Sequence, residues 1–123
     1  MKITAFNPII ITKDAEEALS LFEELGFEKR HTKTGINGED ITGIGLRDPN
    51  GFHVNITKVD SIPQDITTIR MNVDNFDEAY EFLTAHGFVN VQGDKVTDTG
   101  SSKATMMASP SGFTISIAEH IKK

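Results

Sequence analysis

The chain has 123 residues, 37% hydrophobic and 24% charged, with a net charge of −6. That is the balance of an ordinary globular domain, not of a disordered or collagen-like chain. It contains no cysteine, which excludes a disulfide scaffold, a thiol nucleophile and a cysteine-ligated zinc site, and agrees with a cytoplasmic protein. Eighteen acidic residues outweigh 12 basic ones, and no basic run is longer than Lys29-Arg30 or Lys122-Lys123, so a nucleic-acid partner is not expected. The longest aliphatic run, Ile9-Ile10-Ile11, is far short of the roughly 20 residues of a membrane span, and no export signal is expected from the opening residues Met1–Pro8.

The first predicted element is a strand through Ile9-Ile10-Ile11-Thr12. Asp14 then makes a good helix cap, and Ala15, Ala18, Leu19 and Phe22 recur at helical spacing until Gly26, where a helix would stop. Material rich in Thr, Val, Ile and Gly follows, enough for three strands, with Asn37-Gly38 marking a turn between the second and third. The last strand, Phe52-His53-Val54-Asn55-Ile56, alternates apolar and polar residues.

Sixty-one residues later the pattern returns without a gap. Ile66-Thr67-Thr68-Ile69 is a strand, Asn75 a cap, Phe76, Ala79, Tyr80 and Leu83 an apolar helix stripe, Gly87 a stop, and Gly93-Asp94 a turn. The same offset carries Asp48-Pro49-Asn50-Gly51-Phe52 onto Ser109-Pro110-Ser111-Gly112-Phe113. Two separate segments sharing one offset define a tandem repeat. The chain is therefore read as an α+β fold of two βαβββ modules, residues 1–61 and 62–123, together one domain, with 61–65 as the joint.

Strand parity then assigns two faces. Phe52, Val54, Ile56 and Phe113, Ile115, Ile117 are expected under the helices, with Phe6, Ile10, Ile69, Met71 and Val73. The opposite face receives Asn7, Ile9, His53, Asn55 and Thr57 in one module and Thr68, Arg70, Asn72, Thr114 and Ser116 in the other. Gly43, Gly45, Ala104 and Met106 give that face a floor of little bulk. The expected architecture is a curved mixed sheet around a cup, helices outside.

Paired βαβββ modules, each ending in a strand after an Asp-Pro-x-Gly-like turn, resemble the vicinal oxygen chelate superfamily of glyoxalase I, extradiol dioxygenases, fosfomycin-resistance transferases and bleomycin-resistance proteins. The resemblance covers essentially the whole chain. It implies metal ligands on the first and last strands, and by the family's spacing these positions fall on Asn7, Thr68, Asn55 and Ser116. None is a His, Asp or Glu, and neutral amides and hydroxyls are poor ligands for divalent transition metals. The expectation is no metal and no cofactor.

Two functions follow from the resemblance. One is a metal-free, non-catalytic binding protein, like the bleomycin-resistance members, holding a small organic molecule, anionic if it meets Arg70. The other is a glyoxalase- or dioxygenase-like enzyme, a lyase or oxidoreductase, with an atypical site. The candidate ligand-binding residues are Arg70, His53, Asn7, Asn55, Thr68, Asn72, Thr114, Ser116 and Met106. Arg70 either forks onto a ligand carboxylate or phosphate, or serves an internal salt bridge or a solvated surface. His53 is the only histidine that parity sends to this face; His31, His86 and His120 are read as exposed or satisfied, and Glu119 as pointing to the helix side. The family habit also implies a homodimer.

Overall fold

The computed structural model describes residues 1–34 and 41–121; the turn expected at Asn37-Gly38 lies outside them. Its elements run β1 (Ile3–Thr12), α1 (Ala15–Glu24), β2 (Glu28–Lys33), β3 (Thr42–Arg47), β4 (His53–Lys58), β5 (Ile66–Val73), α2 (Phe76–Ala85), β6 (Val89–Asn90), β7 (Thr97–Asp98), β8 (Ser102–Ala108) and β9 (Thr114–His120). The chain divides into two compact units, Asn7–Thr67, and Met1–Phe6 with Thr68–Lys123. Both are α+β.

In the Asn7–Thr67 unit the strands lie in the order β2-β3-β4-β1, with β4 antiparallel to β3 and parallel to β1. Helix α1 starts where Asp14 accepts from the Glu17 amide, a side-chain oxygen satisfying a donor that the first turn cannot. It stops at Gly26, whose φ of +105° lets the Phe27 amide reach back to the Phe22 carbonyl. The apolar stripe of α1 packs on Ile44, Leu46, Val54 and Ile56, joined by Ile10, Leu19, Phe22 and Phe27.

The other unit repeats this logic. Asn75 accepts from the Glu78 amide, and at Gly87 (φ +87°) the Phe88 amide closes on the Leu83 carbonyl. Strands β5, β9, β8 and β6 follow one another and β7 pairs with β8, and residues 1–6 belong to this unit. The core is Met71, Val73, Phe76, Ala79, Leu83, Met107 and Ile117. The Gly93 amide donates to the Asn90 carbonyl in the expected turn, but only the stubs β6 and β7 surround it, so this unit carries four strands after its helix where three were expected.

Glu119 reaches the helix side as parity requires and accepts the Phe76 amide at 2.6 Å. A carboxylate from β9 thus caps α2 beside Asn75, where the first-turn amides carry partial positive charge. Glu119→Ala is expected to cost about 1–2 kcal/mol in denaturant unfolding, and Glu119→Gln, which keeps an acceptor, less.

Three aromatic assignments are corrected. Phe52 and Phe113, expected in the core, are 68% and 54% exposed. Each precedes its strand, which begins at His53 or Thr114, so the alternation of a pleated strand does not govern it; Phe113 instead meets Phe88 edge-on. Phe6 is 62% exposed; it falls in the other unit from Ile10 and α1, so the parity it shares with Ile10 along β1 does not carry over to the same core.

Candidate functional site

In the second unit, β5, β9 and β8 present one face to the core and the other to a polar surface. Register places Arg70 beside Ser116 and Ser116 beside Met106; the next row is Asn72, Ala118 and Ala104. Met107, one residue from Met106, is fully buried in the core, so the two thioethers lie on opposite faces as expected. Thr114 Oγ1 donates to Thr68 Oγ1 at 2.7 Å, and Thr68 Oγ1 stands 3.4 Å from Ser116 Oγ. Thr68, Arg70, Asn72, Thr114, Ser116 and Met106 therefore share one face of the sheet, in which Thr68 and Asn72 are buried and the other four are half-buried. Arg70 is half-buried, and burial pulls its guanidinium pKa below the usual value. Burial disfavours a charged group to the extent that partners do not replace its lost hydration.

In the Asn7–Thr67 unit, Asn7 is buried and its Nδ2 donates to Asn55 Oδ1 at 2.8 Å and to the Pro8 carbonyl at 2.9 Å. Across β3, Asn55 is opposite Gly45 and His53 opposite Arg47. His53 is exposed on the same face. The four positions that the resemblance assigns to metal do not fit a divalent ion: the Asn7 amide nitrogen is a donor engaged with Asn55, and Thr68 and Ser116 offer neutral hydroxyls grouped with Thr114. Among the described residues no cluster of three or more His, Cys, Asp or Glu side chains is placed to bind one.

Sequence parity missed His31. A β-bulge between Lys29 and His31 shifts the β2 register, so that His31, not Arg30, faces Gly45. A Cβ placed on Gly45 would fall 2.7 Å from both Cε1 and Nε2 of His31 and 3.3 Å from Nδ1. His31 therefore joins His53 on the polar face, which corrects the expectation that His53 is the only histidine there. The alternating Gly43 and Gly45 were the available signal, since a strand without side chains on one face leaves room for a neighbour's ring.

Residues 3–117 match the model of the Glyoxalase/Bleomycin resistance protein/Dioxygenase superfamily. The chain belongs to that superfamily. Several solved structures share the superfamily fold. Methylmalonyl-CoA epimerase from Mycobacterium tuberculosis superposes with a TM-score of 0.75 at 14% identity, covering 98% of this chain and 90% of that one. Glyoxalase I from Zea mays gives 0.70 at 14% identity, over 98% of this chain and 44% of that one. A superfamily member from Vibrio splendidus 12B01 gives 0.64 at 16% identity, over 96% and 99%. No curated protein is significantly similar in sequence. Among the described residues no helix is long and apolar enough to cross a membrane.

Proposed function

We propose that this superfamily member is a metal-free binding protein for a small organic anion, anchored on the polar face of β5, β9 and β8. The observation that carries the reading is Arg70: a half-buried guanidinium in register with Ser116, beside the Thr68 and Thr114 hydroxyls, over a floor that Ala104 and Ala118 keep low. A planar cation suits a carboxylate or phosphate, which accepts charge-assisted hydrogen bonds from its fork; Thr114 donates to Thr68, so the neighbouring hydroxyl that can add a donor is Ser116. Asn72 and Met106 border this surface. In the Asn7–Thr67 unit, Asn7, Asn55 and His53 carry neutral hydrogen-bonding groups on that unit's own polar face.

The metal-free part of the reading rests on donor chemistry. Purified protein should hold well under one equivalent of Zn, Ni, Mn or Fe by elemental analysis after gel filtration. A stoichiometric metal lost on replacing Asn7, Asn55, Thr68 or Ser116 would overturn it. We also assign the protein a cytoplasmic location and a homodimeric state, the latter because a second copy covers exposed strand edges. Sedimentation at tens of micromolar should give twice the chain mass, and a monomer there would sink this assignment.

A further inference from the structure

We infer that His31 is a stacking platform, and that the first unit binds a flat conjugated ring carrying a carbonyl or carboxylate acceptor. This rests on the small-molecule reading above and adds the chemical class that this polar face takes. The argument begins with the bulge in β2. Bulges re-aim side chains, and this one brings His31 opposite a residue with no side chain. The two shortest approaches to the Gly45 Cβ position are the Cε1 and Nε2 atoms, yet Nδ1 stands only 3.3 Å away. An imidazole meeting Gly45 edge-on would hold Nδ1 farther off, so the ring lies with its face on the strand. Gly45 is buried beneath it and His31 is exposed, so the exposed area of the imidazole is on the side away from the strand. Among the described residues the imidazole makes no hydrogen bond, ion pair or ring contact.

The same row supplies the polar partner. Asn55 lies on the other side of Gly45, and its Oδ1 accepts from Asn7. That bond fixes the Asn55 amide with its Nδ2 as the remaining donor. A planar ring stacked on His31 and bearing a carbonyl on the side toward β4 meets both groups at once. The flat shelf selects against puckered rings, because offset stacking needs two planes in contact.

The test uses the full-length protein and a matched pair of probes, benzamide and cyclohexanecarboxamide, which share the carbonyl acceptor and differ in ring planarity. In NMR titrations benzamide should move the His31 Cε1–H resonance by ring current and bind about three- to tenfold tighter than its saturated counterpart. His31→Ala should abolish that preference, and His31→Phe, at an exposed position, should keep it. Gly45→Ala, which pushes the ring off its seat, should reduce it if the variant folds; His31→Phe keeps the question open to refutation if it does not. Equal affinities with an unmoved His31 resonance overturn the platform, and if benzoate still binds in an Arg70-dependent way, the anion-binding reading stands without it. Silence of both polar faces toward benzoate and benzamide alike overturns the two together.

Discussion

Arg70→Ala is expected to weaken benzoate binding ten- to a hundredfold with only a modest fall in melting temperature. A hydrogen bond to a charged group contributes about 1.5–3 kcal/mol, and Arg70 offers a planar fork on a surface of hydroxyls and alanines. The wild-type protein should also prefer benzoate to benzamide at this surface, since only the former carries the charge, and Arg70→Ala should erase the preference. Arg70→Lys should restore part of it, because the ammonium keeps the charge and loses the two parallel N–H groups. Isothermal titration or NMR titration with the two probes decides the matter. Unchanged benzoate affinity with a markedly lower melting temperature would make Arg70 a structural partner, and the anchor would then be sought around Met106 and the 98–103 loop.

Ile117→Ala and Ile56→Ala should be the most destabilising single truncations. Both side chains are fully buried, each at the centre of its own unit's core, and they are equivalent under the 61-residue repeat. Removing the methyl and ethyl arms leaves a cavity that packed neighbours only partly fill, at about 2–5 kcal/mol each. At about 3–5 °C per kcal/mol for a chain of this size, the melting temperature should fall by about 6–25 °C. Ser116→Ala, one residue away on the other face, should shift it by only a degree or two, since its hydroxyl contact with Thr68 is long at 3.4 Å. Equal losses at Ser116 and Ile117 would mean that the polar face is packed and not a binding surface.

The tandem repeat, the two helices and their caps were legible in the sequence because their causes are local. Asp14 and Asn75 accept from amides three residues on, and Gly26 and Gly87 adopt positive φ within the same few residues; each is a contact between near neighbours in the chain. The inner positions of β4, β5 and β9 were legible for a related reason. A regular strand turns successive side chains to opposite faces, so Val54, Ile56, Met71 and Ile117 followed from parity alone. Superfamily membership followed from the order of these signals in both halves.

Tertiary structure decided whatever depended on where a strand begins, slips or meets a distant segment. Phe52 and Phe113 lie one residue before their strands, where parity has no force. His31 reached the polar face only because β2 bulges opposite Gly45, and a bulge is set by pairing with another strand, which a single segment does not encode. Glu119 caps a helix whose first residue is 43 positions away in the chain, and the desolvation of Arg70 comes from the strands packed around it. Local sequence therefore specified the elements and their faces, while pairing register and long-range packing selected which side chains those faces bring together.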